Sequence, residues 1–241
     1  MDRQIIEVTG ADRVEFLQGL VTNDVRREGL TYAALLTPQG KYLADFFVLT
    51  RPDSLLIDVA ASHAAMLLQR LSMYRLRAKV ALEPVALTVS RGTGPAPDGA
   101  LPDPRHPDLG WRLYGDGGDA GDGTDWDALR VAHAIPETGI ELTPETYILE
   151  AGFERLNGVD FRKGCYVGQE VTARMKHKTE LRKGLVRVSV TGAAPVGTPV
   201  EAEGRAAGTL YTQSGGEGLA FLRFDRAEGE MTAGPARLRR L

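Results

Sequence analysis

The residues best suited to chemistry lie in one octet, KGCYVGQE at positions 163–170. It contains Cys165, the only cysteine among 241 residues, with a glycine on each side, Gly164 and Gly168. Glycine tolerates positive φ angles and close backbone approach, so we expect the octet to present Cys165 on a tight turn. Helical spacing begins near Gly168, and a thiolate is stabilised by a helix N-terminus and by a nearby cation such as Lys163. The octet predicts an activated thiol, and the alternative is a small buried hydrophobe.

Cysteine and histidine usage limits the other kinds of site. One cysteine and four scattered histidines show no spacing typical of a metal site, so we expect none. A single cysteine also excludes an intrachain disulfide, which is typical of reducing compartments. The first residues show neither an apolar signal core nor an Arg-rich transit segment, and no apolar run approaches the roughly 20 residues that cross a bilayer. We therefore expect a cytoplasmic protein with no membrane partner.

Charge is distributed unevenly along the chain. Lys and Arg total 29 against 32 acidic residues, a net charge of -3, which indicates no overall preference for nucleic acid. Residues 162–187 nevertheless contain eight Lys or Arg and two acids, a local charge of +6. The remainder, with 21 basic and 30 acidic residues, therefore carries about -9. Such a basic run is typical of a solvated helix face, and the alternative is a groove for an anionic ligand.

The first two thirds of the chain combine strand-like and helical patterns, which predicts an α+β fold. Apolar alternation predicts strands at 5–8, 32–37, 42–50, 55–60, 80–89 and 110–114, the second to fourth of them as an antiparallel meander. Helical spacing predicts helices at 12–22, 62–76 and from Thr124 through His133. Thr9 with Asp12 and Thr124 with Asp127 match capping boxes, and Ser62 is a candidate cap. The run DGGDAGDG at 116–123 predicts a loop.

The last quarter of the chain has a different pattern. Short alternating segments are separated by Gly and Pro turns, at 185–190, 199–202, 207–213, 218–224 and 236–238. This pattern predicts a small β-barrel domain. We therefore divide the chain into a first domain at 1–182 and a C-terminal β-barrel domain at 183–241.

The octet KGCYVGQE resembles the signature of the YgfZ-type folate-binding proteins, relatives of the glycine-cleavage T-protein, an aminomethyltransferase of the GcvT family. Other pieces agree with this resemblance: FLQGLVTNDV at 16–25, LTPQGK at 36–41, DPRHPDLGWRL at 103–113 and LEAGFERLNGVDF at 149–161. Together they cover most of the chain. The resemblance implies GcvT-like interlocked α+β lobes around a central folate pocket, with the β-barrel as a C-terminal appendage.

The resemblance also implies site residues and a cofactor, tetrahydrofolate or a one-carbon derivative. Glu150, in LEAGF, matches a glutamate that accepts hydrogen bonds from the pterin ring, and a carboxylate can accept two parallel N–H donors. The family's acidic motif GGxxDD is GKYLAD here, with Ala44 in place of one carboxylate and Asp45 keeping the other. The missing acid argues against aminomethyl transfer, which needs an acid at the reacting centre. Further folate-binding candidates are Asp45, Lys163, Tyr166 and Arg174, the last in a basic run suited to the anionic glutamate tail.

Three functions follow from these residues and from the resemblance, which implies a link to iron-sulfur cluster maintenance. We predict a tetrahydrofolate-binding accessory protein that supports iron-sulfur cluster assembly or repair in other proteins, with Cys165 as the functional thiol. Its expected partners are folate and iron-sulfur enzymes or cluster-assembly proteins. One cysteine is too few to hold a cluster alone, so contact with a cluster would need a partner or a second copy. Otherwise there would be no direct ligation, with Cys165 acting as a nucleophile or a redox-sensitive thiol. The first alternative is an aminomethyltransferase or other one-carbon transferase with Asp45 as its acid. The second is an RNA-binding module using the basic run 174–183, which we rank last because aromatic residues are not interleaved with the charges.

Overall fold

The computed structural model describes residues 2–115, 122–178 and 180–241, which form two compact units. Unit 1 comprises Met1–Thr124 and Glu154–Val171, and unit 2 comprises Asp125–Phe153 and Thr172–Leu241. Both units are discontinuous in sequence, unlike the contiguous domains 1–182 and 183–241, and that boundary stays a prediction. Residues 116–121 of the predicted DGGDAGDG loop lie outside the described residues.

The main sheet of unit 1 is antiparallel and has five strands. They are β1 (Arg3–Thr9), β2 (Leu30–Leu36), β3 (Tyr42–Thr50), β4 (Ser54–Ala60) and β5 (Ala81–Val85). Their order is β2-β3-β4-β1-β5, which confirms the predicted meander in its first three members. The helices of this unit are α1 (Arg13–Gln18) and α2 (Ala61–Arg75). Leu17, Leu67 and Leu71 of these helices are buried in the same apolar core as one face of the sheet.

A second sheet of unit 1 shows where apolar alternation misleads. It contains β6 (Thr88–Gly92), β7 (Leu101–Pro102) and β8 (Trp111–Gly115), in the order β6-β8-β7. The single strand predicted at 80–89 is therefore wrong, since its two halves belong to β5 and β6 in different sheets. Apolar alternation indicates which side chains are buried, but it does not indicate to which neighbouring strand, and so to which sheet, a segment is hydrogen-bonded.

The helix ends also differ from the capping predictions. The helix α1 stops at Gln18, before Gly19, rather than at residue 22. Asp12 precedes α1 without a side-chain cap, because its carboxylate accepts the backbone N–H of Lys79 at 2.7 Å. The N-cap residue of α2 is Ala60, which provides no side-chain cap, and not the predicted Ser62. The helix α3 (Trp126–Ala132) is capped by Asp125, whose carboxylate accepts the N–H of Ala128 at 2.9 Å, and not by Thr124.

Unit 2 contains the predicted β-barrel. Its strands are β9 (Lys183–Thr191), β10 (Thr198–Ala202), β11 (Arg205–Ser214), β12 (Glu217–Arg223), β13 (Met231–Ala233) and β14 (Ala236–Arg240). They close in the order β10-β11-β12-β9-β14-β13. Within the described residues 183–241, each of these six strands pairs with a neighbour on both sides, and the closed ring covers its apolar interior. The three-residue strand β13 was missed because it is too short to show alternation.

A buried ionic cluster connects the segment before the barrel to the barrel itself. Arg130 of α3 donates to Glu141 at 2.5 Å, and the other oxygen of Glu141 accepts the hydroxyl of Thr212 in β11 at 2.6 Å. The side chain of Glu141 is fully buried. These contacts explain why Asp125–Phe153 belongs to the same compact unit as the barrel.

The helix α4 (Gln169–Lys178) follows the octet directly. Glu170 lies in its first turn, and Lys176, His177 and Lys178 lie in its last, a distribution that the helix dipole favours. In the part of the chain that the structure describes, no helix has the length and apolar character needed to span a membrane.

Candidate functional site

Cys165 lies on an exposed turn between buried neighbours in unit 1. Its thiol is free, and both Cys165 and Gly164 are exposed, whereas Lys163 and Tyr166 are 8% and 7% exposed. The side-chain amide of Gln169 donates to the carbonyl of Gly164 at 3.4 Å. The turn therefore raises two residues out of a segment that is otherwise fixed in the protein.

Lys163 is the anchor on the N-terminal side of this turn. Its ammonium donates to the carbonyl oxygens of Gln18 at 2.8 Å, Val21 at 2.5 Å and Asn23 at 3.0 Å. Gln18 is the last residue of α1 and its carbonyl has no intrahelical partner, whereas Val21 and Asn23 lie in the segment that follows the helix. All three N–H donors are thus engaged by backbone carbonyls, and the folate contact and thiolate pairing expected of Lys163 stay predictions. Burial lowers the pKa of Lys163 to about 8.

Tyr166 and Gly168 anchor the other side. The ring of Tyr166 lies 5.3 Å from the Lys163 ammonium. Gly168 has a φ of +84°, and a Cβ there would stand 2.7 Å from the carbonyl oxygen of Thr37 in the turn between β2 and β3. The prediction that a glycine adopts positive φ is confirmed for Gly168 but not for Gly164, which shows no positive φ and has open space around it.

The polar side chains of the motif FLQGLVTNDV at 16–25 bind the backbone of other segments of unit 1. Gln18 accepts the N–H of Val25 at 3.0 Å, and Asn23 donates to the carbonyls of Tyr32 at 2.8 Å and Asn157 at 2.6 Å. The hydroxyl of Thr22 donates to the carbonyl of Gly158 at 2.7 Å. Two of the recognised motifs, 16–25 and 149–161, are therefore bound to each other within unit 1 through 157–158.

Asp45 is buried in β3 and is held by two tyrosines. Its carboxylate oxygens accept the hydroxyls of Tyr32 at 2.9 Å and Tyr42 at 2.7 Å, one on each oxygen. Burial, followed by the negative charge of Asp45, raises the pKa of Tyr32 well above its usual value, so this phenol stays a donor. Ala44 is fully buried in the apolar core of unit 1. The structure therefore shows a carboxylate whose two oxygens both accept phenol hydrogen bonds.

A buried network beside Asp45 was missed by the sequence analysis. Asp58, which is 0% exposed, accepts from Arg3 at 2.6 Å, Arg112 at 3.1 Å and the hydroxyl of Tyr114 at 2.9 Å. Arg112 also donates to Asp103 at 3.0 Å, and its guanidinium stacks 3.8 Å from the Phe47 ring centre.

Arg105 extends this network. Its guanidinium makes a bidentate contact with Asp103 and lies 4.8 Å from the centre of the Phe47 ring. Burial alone would raise the pKa of Asp103, but the neighbouring Arg105 and Arg112 lower it below its usual range. The recognised motif at 103–113 contained Asp103, Arg105 and Arg112, and this alternation of charges was the signal available in the sequence. Asp58, within an otherwise apolar strand, gave a second one.

Glu150 lies in unit 2, where its carboxylate is 8% exposed. One oxygen lies 3.5 Å from the ammonium of Lys183, and its backbone carbonyl accepts the N–H of Leu185 at 2.8 Å. A Cβ at Gly184 would stand 2.9 Å from that carbonyl, so only glycine allows β9 to approach so closely. The structure thus positions Glu150 through its backbone and pairs its side chain with a lysine.

Arg174 is exposed on α4 and belongs to unit 2. The basic run continues into a surface groove of about 540 Å³ in the same unit. Its lining residues are Lys178, Glu180, Leu181, Arg182, Arg223, Phe224 and Asp225. The structure therefore brings Lys163, Cys165 and Tyr166 together on one turn of unit 1, and Glu150 together with Lys183 in unit 2. The expectation that both sets face one folate cavity stays a prediction.

This chain is similar to a protein-family model and to several known proteins. The family model of the CAF17 C-terminal beta-barrel domain matches residues 182–240. The iron-sulfur cluster assembly factor IBA57, mitochondrial, of Mus musculus is 33% identical, over 95% of this chain and 78% of that protein. Its Homo sapiens counterpart is 30% identical over the same shares.

A solved structure shows the fold relationship. The glycine cleavage system aminomethyltransferase T from Bartonella henselae matches with a TM-score of 0.76 at 14% identity, covering 99% of this chain and 82% of that one. At this identity the likeness concerns the fold, and it confirms the predicted α+β fold of the GcvT type with its C-terminal β-barrel.

Proposed function

This chain belongs to the family of the iron-sulfur cluster assembly factor IBA57, and from that premise we propose that it supports cluster assembly or repair in other proteins through the thiol of Cys165. The observation that carries this proposal is the turn at 163–168, which exposes Cys165 while Lys163, Tyr166 and Gly168 fix the segment on both sides. A thiol held in this way reaches a partner without a change in the backbone.

The number of thiols defines what Cys165 does in this proposal. A [2Fe–2S] or [4Fe–4S] cluster is commonly held by four cysteines, and this chain has one. Cys165 therefore supplies a single thiolate ligand to a cluster in transit, and a partner protein supplies the others. The iron-sulfur enzymes and assembly proteins expected as partners are the source of those ligands.

The thiol is tested in cells that lack this protein, by measuring the activity of cluster-dependent enzymes after returning each variant. Cys165→Ser is expected to fold with an unchanged melting temperature, because the side chain is exposed, and to leave those enzymes inactive. Since Cys165 is the only thiol, purified wild type alkylated with iodoacetamide is a matched form, and it should fail to deliver a cluster to an apo-protein in vitro. Full support by folded Cys165→Ser would refute the role of the thiol.

We also propose that the chain binds tetrahydrofolate through Glu150. The chemistry of the residues present fits a pterin, because a buried carboxylate can accept parallel N–H bonds from a pyrimidine-like edge. The cofactor would supply a one-carbon carrier. Glu150 would orient its ring, while exposed Arg174 and the basic run beyond it suit the glutamate tail.

Calorimetric titration with tetrahydrofolate tests this second part of the proposal. Wild type is expected to bind saturably and Glu150→Gln to lose binding, with circular dichroism confirming that the variant is folded. Arg70→Gln, a change at an exposed cation of unit 1, is the control and should bind as wild type does. A folded wild type that shows no heat of binding would remove folate from the proposal and leave the thiol untouched.

The geometry of Asp45 favours an accessory protein over an aminomethyltransferase. Each of its carboxylate oxygens accepts a hydrogen bond from a buried tyrosine, and the neighbouring Ala44 lies in the apolar core. A catalytic acid must instead reach the substrate. Turnover of an aminomethyl donor with tetrahydrofolate, abolished in Asp45→Asn, would restore the transferase hypothesis.

RNA binding by the run 174–183 remains the third hypothesis. Affinity for RNA should fall steeply with salt if those cations carry it, and an affinity insensitive to salt would exclude it. The cytoplasmic location also stays a prediction, since the names of the mouse and human relatives assign those proteins to mitochondria.

A further inference from the structure

The end of α2 carries a surface that the proposed function does not use. Leu76, directly after the helix, has φ 43° and ψ -106°, in a position where glycine is the usual residue. Its side chain is 88% exposed, and that of Met73, three residues earlier, is 63% exposed. A non-glycine residue at positive φ is strained, and here the strain displays an apolar side chain to water. Conflicts of this kind with local preference are expected at functional sites.

The charged residues of the helix and of the segment that follows it are all basic. Residues 59–82 contain no Asp or Glu, and four exposed cations lie near the helix end: Arg70, Arg75, Arg77 and Lys79. Across residues 2–115, 122–178 and 180–241, none of these four side chains forms an ion pair. The neighbouring Asp12 accepts the backbone N–H of Lys79. The surface therefore combines protruding apolar groups with unneutralised positive charge.

We propose that this surface, the α2 tip formed by Arg70, Met73, Arg75, Leu76, Arg77 and Lys79, docks the protein on anionic lipid bilayers. Basic side chains are attracted to an anionic leaflet, and apolar side chains beside them enter the boundary between headgroups and acyl chains. Met73 and Leu76 are largely exposed at the end of a helix, and such protruding apolar side chains suit a deformable lipid interface better than a preformed socket on an acidic protein. The expectation of no membrane partner rested on the lack of an apolar run long enough to cross a bilayer, which does not bear on docking at a bilayer surface.

Co-sedimentation of the full chain with vesicles tests the proposal. The probes are vesicles of phosphatidylcholine alone and of two-thirds phosphatidylcholine with one-third phosphatidylglycerol, at low and high salt. Wild type is expected to sediment with the anionic vesicles at low salt, to release them at high salt, and to ignore the neutral ones.

Three variants separate charge, apolar insertion and folding. Arg75→Gln combined with Arg77→Gln is expected to weaken partitioning by about fivefold for each cation removed. Leu76→Gly should weaken partitioning and at the same time raise the melting temperature, because glycine adopts the positive φ without strain. Loss of folding cannot produce that combination. Val196→Ser, which removes an apolar side chain 58% exposed in unit 2, is the matched control and should partition as wild type.

The contrary outcomes are distinct. A wild type that binds neither kind of vesicle overturns the proposal, and an acidic protein then becomes the expected partner of the α2 tip. A wild type that binds both kinds equally also overturns it, because the basic side chains would then play no part. A stabilised Leu76→Gly that partitions as well as wild type overturns it too, since only nonspecific attraction between charges would remain.

Discussion

Lys163 is a buried ammonium two residues from the exposed thiol of Cys165. The hydrogen bonds that hold Lys163 inside the protein also hold the turn that exposes Cys165. By donating to three carbonyls at and after the end of α1, Lys163 fixes the residue from which the Cys165 turn departs. The carbonyl of Gln18, at the end of the helix, has no intrahelical partner, and a lysine is a natural donor to it. The lysine in this octet thus stabilises the backbone that carries the thiol.

Burial of that ammonium predicts a pH dependence. The pKa of Lys163 is lowered from 10.5 to about 8 by burial, so between these values the unfolded chain binds more protons than the folded one. The free energy of unfolding should therefore rise with pH across this window, by up to about 3 kcal/mol. Urea denaturation of wild type and Lys163→Met between pH 7 and 10 measures the difference. Parallel curves for the two proteins would mean that the three carbonyls hold the pKa near its ordinary value.

Gly168 predicts a second effect at this scale. Gly168→Ala places a Cβ 2.7 Å from the Thr37 carbonyl at a φ of +84°, and we expect it to lower the free energy of unfolding by about 2 to 4 kcal/mol. Gly164→Ala is the matched control, with nothing within 4 Å of the added methyl, and should change stability by less than about 0.5 kcal/mol. Equal stability of the two variants would show that the turn is not fixed against Thr37. Hydrogen exchange at 163–168 reports the same anchoring locally.

At the scale of elements, short-range apolar patterns predicted most strands. The ends of those strands were predicted closely where Pro or Gly residues mark the turns between them. The strand β3 was predicted at 42–50 and found there because Pro38 and Gly40 end one strand and Pro52 the next. The predicted helix at 12–22 was too long because the helical pattern was continued through Gly19, whereas α1 ends at Gln18. The sequence marked single members of the Asp58 network, but their pairing could not be predicted, since they meet only when β1, β4 and β8 have been assembled.

The connection between α3 and the barrel allows a test of buried charge. Glu141→Gln keeps the shape but removes the charge that Arg130 contacts at 2.5 Å, and we expect a loss of about 2 kcal/mol in the free energy of unfolding. The comparable pair Glu203 and Arg205 is exposed, so Glu203→Gln should cost less than about 0.5 kcal/mol. Thermal and urea unfolding of both variants measure the contrast. Similar losses at the two sites would indicate that Glu141 is hydrated in solution.

On the scale of the whole molecule, composition predicted less about charged surfaces and fold type than the sequence motifs did. A net charge of -3 concealed both the basic run of 162–187 and the α2 tip, because the acids elsewhere offset them. The octet and the four other motifs predicted the fold type, which the likeness to the aminomethyltransferase confirms. Motif alone, however, did not predict that Lys163 would turn inward or that Asp45 would be held by two tyrosines.

The division into units predicts that the thiol and the carboxylate can be separated by mutation. Cys165 belongs to unit 1 and Glu150 to unit 2, each positioned by contacts within its own unit. A ligand at a hundred times its dissociation constant stabilises a protein by about 2.7 kcal/mol, so tetrahydrofolate should raise the melting temperature of wild type and Cys165→Ser equally, and of Glu150→Gln not at all. Cluster delivery should fail in Cys165→Ser with or without folate. If Cys165→Ser instead loses the thermal shift, the thiol contributes to the folate site and the two functions are one.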